Sequence, residues 1–352
     1  MSETKHQEQE EEETKQQNST SQLVNDPQHL SNELSKVLKL DQNIDEFSIL
    51  DPLVIEFYAQ SFSEGDQQPD FYSPPNFILL EHKLGISNTV VGAIIKQNRA
   101  FAKKFRQVYQ PHDMREDIQV KLLGDGKMIK FLYYQKESFQ TQNDIKDSNL
   151  QITQQAQSME DLQKKTTEIS SKDFQEIDSA SKLLVLLAGE NPTYLNIRYD
   201  LTNIKLKIVK LQEESQLLAN QVEYLDADMI IEQELKFLAL INYKYRKSSK
   251  SWAIRLQLLL KLTFVKNEEA DKILVRLIQE LELCDNCNIH EPRNYYVWTH
   301  RLEIMKLAKR LLNEEVFNNL KTQDLEKTQR HLKIQQKDMS AKSYHDQISC
   351  NF

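Results

Sequence analysis

One short stretch of the sequence has residue types that could bind a metal ion. Cys284 and Cys287 are separated by two residues, and His290 follows three positions later. Two thiolates and an imidazole suit Zn²⁺, but a structural zinc site needs a fourth ligand at a fixed spacing, and no second pair follows. Because a cysteine at a helix end often serves as a small buried apolar residue, we predict no metal site in this chain.

A second stretch could bind an anion. Lys244, Arg246, Lys247 and Lys250 form a basic cluster between two predicted helices. An ammonium group at such a place can stabilise negative charge that develops on a departing phosphate. Basic residues near a helix end also favour solubility and interact well with the helix dipole. From these residues alone, the favoured interpretation is a solvent-exposed turn that binds no anion.

An internal repeat predicts the elements that would position these residues. Asn294 is a suitable N-cap for a helix that carries Trp298, Arg301, Leu302 and Met305 on one face. A large apolar residue thus lies four positions after the capping residue, and an arginine lies three positions further on. The pattern indicates the start of an amphipathic helix.

The same pattern occurs in two upstream copies. The first has Asn191, Leu195 and Arg198 in place of the Asn, Trp and Arg, and the second has Trp252 and Arg255 after a capping serine. Leu195, Trp252 and Trp298 are spaced by 57 and 46 residues, and repeats of about this length indicate stacked pairs of helices. We expect these residues to be structural, with the large apolar side chain filling the space between pairs and the arginine bonding carbonyl groups.

A degraded fourth copy is predicted further along the chain. Trp298 follows Trp252 by 46 residues, and the same interval leads to Tyr344, after which Gln347 replaces the arginine. We predict that the two tryptophans and Tyr344 are buried at equivalent places on successive second helices. Because Leu195 replaces a tryptophan in the first copy, we expect looser packing there.

Composition divides the chain into four segments. Residues 1–35 are polar and bury too little apolar surface to offset ordering, so we predict a disordered tail. Residues 36–135 are predicted to be an N-terminal helical region. Residues 136–172 are rich in Gln, Ser, Thr and Lys and are predicted to be a low-complexity insertion. The helical repeats occupy residues 173–352.

Amino-acid content narrows the fold and function classes. Only 6 Gly and 8 Pro in 352 residues favour helices over an all-β fold. The net charge of -8 argues against a general nucleic-acid binder, which needs excess Lys and Arg. The sequence contains no run of ~18 apolar residues, so no transmembrane segment is predicted. The 3 cysteines form no disulfide framework, so we predict a cytoplasmic protein.

The pattern Asn-x-x-x-Trp-x-x-Arg-x-x-Leu at the head of each second helix resembles the repeat of protein prenyltransferase alpha subunits. Residues 42–50 and 73–85 resemble the amino-terminal region of one branch of this family, the geranylgeranyl transferase type III alpha subunits. The resemblance covers residues 40–350 apart from the insertions. It implies an all-α fold: a right-handed α-α superhelix of helix hairpins, crescent-shaped and TPR-like.

The resemblance also implies roles for two residues. Alpha subunits of this family place a lysine five residues before the tryptophan of the second repeat, where it reaches the isoprenoid diphosphate. That position is Lys247, which is the candidate catalytic residue. A tyrosine three residues before the third tryptophan lines the same cleft, and here it is Tyr295, the candidate substrate-binding residue. Its counterpart in the second repeat is Ser249, a departure from the family, and core packing is the slightly favoured alternative for Tyr295.

The function implied by the resemblance is that of an alpha subunit, without zinc, in a heterodimeric protein prenyltransferase. Such a subunit is inactive alone, because zinc and the isoprenoid pocket belong to a beta subunit, here of the Rab geranylgeranyl transferase type. Geranylgeranyl diphosphate is the implied co-substrate, and proteins with a carboxy-terminal Cys are the implied substrates. The alternative is a non-catalytic helical-repeat scaffold, which the degraded first and fourth copies favour. The acidic balance disfavours an RNA-binding repeat.

Overall fold

Helices predominate in the computed structural model, which describes residues 26–41, 44–63, 71–73, 76–109, 119–123, 128–135, 163–215, 226–265 and 270–351. The prediction of a mostly helical chain is confirmed for these residues. None of the helices described is both long enough and apolar enough to cross a bilayer. The helices are α1 (Pro27–Leu40), α2 (Pro52–Ser63), α3 (Asn88–Val108), α4 (Ser171–Leu187), α5 (Pro192–Ser215), α6 (Ala227–Lys244), α7 (Ser249–Val265), α8 (Ala270–His290), α9 (Tyr295–Leu311), α10 (Glu314–Ile334) and α11 (Met339–Asn351).

Two small sheets accompany the helices in the N-terminal part of the chain. The first has the strand order β1-β4-β3-β2, with β1 parallel to β4 and the other pairs antiparallel. The second has the order β5-β6-β7 and is antiparallel throughout. The strands are β1 (Glu46–Leu50), β2 (Phe71–Ser73), β3 (Phe77–Leu80), β4 (Lys83–Ser87), β5 (Gln119–Leu123), β6 (Met128–Gln135) and β7 (Gln163–Ser170).

These strands correct the predicted segments of the N-terminal half. The region 36–135 is not only helical, because β1 to β6 lie within it alongside helices. Helix α1 begins inside the predicted tail 1–35, and β7 lies inside the predicted insertion 136–172, whereas residues 1–25 and 136–162 lie outside the described residues. Apolar runs of four or five residues suit a buried strand and a buried helix equally well, and only pairing partners distant in sequence decide between them.

The second half of the chain is built from four helix hairpins. Helix α4 pairs with α5, α6 with α7, α8 with α9, and α10 with α11. Successive hairpins are in contact through like helices: α6 touches α8, α5 touches α7, α7 touches α9, and α9 touches α11. The second helices α5, α7, α9 and α11 therefore contact one another in order along the chain, and α5 also contacts α6.

The aromatic residues of the repeat lie at equivalent, buried places on α7, α9 and α11. The exposed fractions of Trp252, Trp298 and Tyr344 are 3%, 4% and 2%. Leu195 on α5 is also fully buried, and the looser packing expected for the first hairpin stays a prediction. The ring of Tyr245 packs so closely on residue 189 that it leaves room only for glycine. This ring helps to fill the space beside the first hairpin.

The N-terminal part packs directly on the repeats. Helix α1 contacts α3, α3 contacts α4, and β1 contacts α6. In the tight turn between β3 and β4, Glu81 and His82 have φ values of 45° and 66°. Positive φ at both residues is typical of a two-residue hairpin turn whose twist matches that of the flanking strands. His82 Nδ1 lies 2.7 Å from Asp41 Oδ2 at the end of α1, which ties this turn to the helix.

Candidate functional site

The turns between paired helices form a connected row. The hydroxyl of Ser248 donates to the carbonyl oxygen of Gly189 at 3.2 Å. Nδ2 of Asn294 donates to the carbonyl oxygen of Arg246 at 2.8 Å. Each bond links one turn to the turn of the next hairpin. The turns comprise residues 188–191, 245–248, 291–294 and 335–338.

Capping residues fix where the second helices begin. In each case a side-chain oxygen accepts a hydrogen bond from a backbone N–H of the first turn, which satisfies one of the free donors at the helix start. In Asn294 this oxygen is Oδ1, so the same side chain caps α9 and reaches the preceding turn through Nδ2. The capping residues are Asn191, Ser248, Asn294 and Asp338.

Lys247 lies in the turn between α6 and α7. Its Nζ is 2.6 Å from Oε1 of Glu291, which lies in the turn between α8 and α9. The hydrogen bond from Lys247 is the main cause that lowers the pKa of the Glu291 carboxyl. The side chain of Lys247 is 62% exposed, so solvent reaches the ammonium. An external anion can therefore approach Lys247, but it would compete with Glu291.

Tyr295 is the first residue of α9, directly after the cap. Its side chain is 64% exposed, and its ring meets that of Tyr296 edge-on with centroids 5.7 Å apart. The core-packing interpretation of Tyr295 is therefore wrong, because the buried face of this helix turn is formed by Val297 and Trp298 instead. The bond between Asn294 and the turn of Lys247 brings Tyr295 to the same edge as that lysine.

The arginine of the first repeat joins three helices. Arg198 on α5 donates through Nη1 to the backbone carbonyl of Asp178 on α4 at 3.2 Å. Its Nη2 donates to Oε2 of Glu234 on α6 at 2.6 Å. Both Arg198 and Glu234 are almost completely buried. The guanidinium therefore bonds its own hairpin through a carbonyl and the next hairpin through a carboxylate.

The second repeat contains the same arrangement. Arg255 on α7 donates to the carbonyl oxygen of Leu235 on α6 at 2.6 Å, and its Nε donates to Oε2 of Glu280 on α8 at 2.7 Å. His300 on α9 adds a third contact, with Nε2 at 3.1 Å from the same oxygen. Glu280 therefore binds the second hairpin to the third.

The third repeat repeats the geometry once more. Arg301 on α9 donates to the carbonyl oxygen of Leu281 on α8 at 3.3 Å and to Oδ1 of Asp324 on α10 at 2.6 Å. A further bond of 2.5 Å from Arg301 reaches Oδ1 of Asp285. We call these three arginines and their buried carboxylates the arginine ladder; its acids are Glu234, Glu280 and Asp324.

Two carboxylates of this region, those of Glu280 and Asp178, are ionised at neutral pH. Desolvation alone would raise the pKa of Glu280, but the charge of Arg255 and hydrogen bonds from His300 and Arg255 lower it to about 2. Desolvation also acts on Asp178, and the charge of Arg198 outweighs it and lowers that pKa to about 2. Buried arginines paired with carboxylates in this way connect the helices on which they lie.

Sequence reasoning identified the arginines but missed the acids of the ladder. A signal for two of them was present: Glu234 directly precedes Leu235, and Glu280 directly precedes Leu281. Those leucines supply the carbonyl groups for Arg255 and Arg301. The recurring acidic residue before this leucine in the first helix could therefore have been found from the repeat register.

The cysteine pair lies in the core. Cys284 and Cys287 are fully buried on α8 and pack against Trp252 and Val297. Burial raises the pKa of Cys284 well above its ordinary value and raises that of Cys287 to about 12, so both are thiols at neutral pH. His290 is exposed and contacts the hydroxyl of Tyr243 at 2.9 Å. Among the residues described, no group of three or more His, Cys, Asp or Glu side chains could hold a metal ion.

Comparison with known protein families gives no match for this chain, and comparison with curated proteins gives none either. The features of this region that bear on function are the capping residue, large apolar residue and arginine that recur in the first three hairpins, and the exposed edge where Lys247 and Tyr295 lie.

Proposed function

We propose that this chain is the alpha subunit, without zinc, of a heterodimeric protein prenyltransferase that transfers a geranylgeranyl group to carboxy-terminal cysteines of proteins. The observation that carries the proposal is the recurrence of one structural pattern in three hairpins, from the arginine ladder to the capping residues. The arginines of the sequence pattern that resembles prenyltransferase alpha subunits are the arginines of this ladder, and its capping positions begin the second helices.

The proposed assembly follows from the stacking of the hairpins. We infer that they continue as a right-handed α-α superhelix, crescent-shaped and TPR-like, whose concave side receives a partner. The partner is a beta subunit of the Rab geranylgeranyl transferase type, which supplies the zinc site and the isoprenoid pocket. We place the heterodimer in the cytoplasm, where its protein substrates present their terminal cysteines.

In the proposed reaction, the substrate thiolate forms a bond to the first carbon of the isoprenoid while the carbon–oxygen bond to diphosphate breaks. The leaving diphosphate takes the electron pair and gains negative charge. The ammonium of Lys247 stabilises that charge, and Tyr295 lines the path of the substrate at the same edge. Because Lys247 contacts Glu291 in the free chain, binding of the diphosphate replaces this ion pair.

Reconstitution tests the proposal. The chain is coexpressed with a Rab-type geranylgeranyl transferase beta subunit, and we expect a one-to-one complex that transfers geranylgeranyl to a protein ending in Cys. The chain alone is expected to transfer nothing and to bind no stoichiometric zinc. Turnover by the lone chain, or failure to form the complex, would contradict the proposal.

Lys247 provides the sharper kinetic test. In the reconstituted heterodimer, Lys247→Ala should slow single-turnover transfer by roughly ten- to a hundredfold, equal to about 1.4–2.7 kcal/mol. Isoprenoid affinity should change much less, because the contact strengthens only as the carbon–oxygen bond breaks. Lys244→Ala and Lys250→Ala in the same basic cluster are the matched controls. Equal effects of all three substitutions would show that the cluster is only a solvated turn.

The partner of Lys247 gives an independent variant. Glu291→Gln removes the negative charge that competes with the diphosphate but keeps the size of the side chain. Since exposed ion pairs are weak, we expect this variant to bind geranylgeranyl diphosphate up to about fivefold more tightly in the heterodimer. Weaker binding by Glu291→Gln would contradict a direct contact between Lys247 and the diphosphate.

A second candidate function is a non-catalytic helical-repeat scaffold. The observation in its favour is that Lys247 already has an acidic partner, while Ser249 and Gln347 depart from the motif. Affinity purification from the native source separates the two functions. Recovery of an α/α-barrel chain in equal amount supports the enzyme subunit, and its absence together with other partners supports the scaffold.

A further inference from the structure

A cleft of about 250 Å³ lies where the N-terminal part meets the first two hairpins. The end of α1, the segment before β1, α4 and α6 form its walls. One part of the wall is apolar and consists of Leu38, Ile44 and the ring of Phe237. This volume is just below the usual range for drug-sized ligands, so the cleft admits only a small molecule.

Three lysines from three different helices line the same cleft: Lys39, Lys182 and Lys236. Nζ of Lys182 lies 5.9 Å from the centre of the Phe237 ring, at the distance of a cation–π contact. Within the described part of the chain, no carboxylate or carbonyl oxygen forms a hydrogen bond with this ammonium. The acidic residue of the wall, Asp41, is bonded to His82 instead.

The charges behind the cleft leave a surplus of positive charge at Lys182. Arg198 and Lys205 contribute two cations near it, and Asp178 and Glu234 contribute two carboxylates that are bonded to those cations. Desolvation and the nearby charge of Arg198 lower the pKa of Lys182 to about 8. Glu234 and Asp178 attract this ammonium only through space, so a partly desolvated Lys182 is the group that an incoming anion would stabilise most.

We propose that this cleft binds a small amphiphilic anion, with its charged oxygens on Lys182, Lys39 and Lys236 and a short apolar chain on Leu38, Ile44 and Phe237. The ligand class is a free alkyl phosphate or alkyl carboxylate. A simple inorganic anion leaves the apolar wall uncovered, and an alcohol leaves the ammonium without a partner. The site is separate from the edge of Lys247 and does not depend on the proposed prenyl transfer.

Isothermal titration of the full chain with four probes tests the site: hexyl phosphate, hexanoate, inorganic phosphate and hexanol. We expect hexyl phosphate and hexanoate to bind in the sub-millimolar range, and inorganic phosphate and hexanol to bind about tenfold more weakly or not at all. No heat of binding for hexyl phosphate or hexanoate up to about 10 mM would overturn the proposal.

Lys182→Met tests the residue on which the site depends. Methionine keeps an unbranched apolar side chain and removes the ammonium, so the fold should remain, as an unchanged circular dichroism melt would verify. Affinity for hexyl phosphate should fall about ten- to a hundredfold, the usual loss for a charged hydrogen bond in a desolvated site. Lys172→Gln, an exposed lysine of the same helix, is the control. Equal affinities of Lys182→Met and the unaltered chain would overturn the proposal.

The pH dependence of binding distinguishes Lys182 from the other two lysines of the cleft, Lys39 and Lys236. Because its pKa is about 8, the ammonium is lost as pH rises from 7 to 9, and affinity for hexyl phosphate should fall over this interval. In Lys182→Met the affinity for hexyl phosphate should not change over the same range. An identical decrease in both proteins would show that another group causes the pH dependence, and it would overturn the role of Lys182. The charged groups near Lys182 are Lys39, Asp41, Asp178, Arg198, Lys205, Glu234 and Lys236.

Discussion

The third and fourth hairpins show how differently the same motif positions can be used. In the third hairpin, Trp298 donates through Nε1 to Asp338, and Arg301 pairs with Asp324, so both side chains reach the next hairpin. In the fourth hairpin, the hydroxyl of Tyr344 donates to Asp324 of its own first helix. Gln347, at the arginine position, donates to Ser343 on its own helix and is exposed.

This difference separates two functions of the repeat. The large apolar residue buries surface in every hairpin, whether it is Leu, Trp or Tyr. The arginine instead connects one hairpin to the next, because a guanidinium can bond a carbonyl on one side and a carboxylate on the other. Asp324 is where the two hairpins meet, since it accepts bonds from Arg301 and Tyr344 through its two oxygens.

The largest effect is expected for Arg301→Met. The substitution leaves the buried Asp324 without its cation and also breaks the bond to the Leu281 carbonyl, so the free energy of unfolding should fall by about 5 kcal/mol. Urea denaturation measures this loss. Gln347→Met at the equivalent position of the fourth hairpin is the control and should change stability by less than about 0.5 kcal/mol. Similar losses in both variants would contradict the distinction between the two hairpins.

Trp298→Ala should cost slightly less, about 4 kcal/mol, because it leaves a large cavity between hairpins and removes the bond to Asp338. The same urea titration gives the value. Tyr295→Ala, on the exposed side of the same helix, should stay within about 0.5 kcal/mol. A small loss for Trp298→Ala would show that the third and fourth hairpins do not depend on this side chain for their contact.

The arginine ladder also predicts a dependence of stability on acid. Glu280 has a pKa of about 2 in the folded chain and an ordinary value of 4.5, so its contribution is complete above pH 4.5 and is lost as pH falls toward 2. In that interval this group alone lowers the free energy of unfolding by up to about 1.4 kcal/mol per pH unit. In Glu280→Gln, the slope of the free energy of unfolding against pH should be smaller by the contribution of one titrating proton. Equal slopes in the variant and the unaltered chain would contradict the assignment.

The smallest effect is expected for Tyr344→Phe. Removal of the hydroxyl leaves one oxygen of Asp324 without its donor but keeps the aromatic ring, so the loss should be about 1–2 kcal/mol. Tyr296→Phe, whose side chain is partly exposed at the start of α9, is the matched control and should be neutral. If Tyr344→Phe were neutral as well, Arg301 alone would satisfy Asp324.

Much of the repeat region could be predicted from the sequence, because its signals are local. Helical periodicity and the spacing of Asn294, Trp298 and Arg301 depend on residues within two turns of one another. The predicted helical class is confirmed, and Trp252, Trp298 and Tyr344 occupy the buried positions that the 46-residue interval indicated. The assignment of Lys247 and Tyr295 to substrate stays a prediction, although both lie at one edge.

The partners of these residues could not be predicted in the same way. Arg198 meets Glu234 from a position 36 residues away, and the interval differs in the other two pairs, so no fixed local spacing identifies them. The cleft that Lys182 lines forms only because α1 and α6 lie beside α4. The sheets formed from residues 46–87 and 119–170 likewise require strands that are far apart in sequence.

The sequence by itself determined the helices of the repeat, their capping residues and the register in which the aromatic residues and arginines recur. These properties depend on free energies within one or two helical turns, which residue type and spacing largely set. The tertiary structure alone decided which acids neutralise the arginines, that Tyr295 faces solvent and that Lys182 lines a cleft beside Phe237. Those outcomes depend on desolvation and charge pairing between distant segments, and these arise only when the hairpins pack.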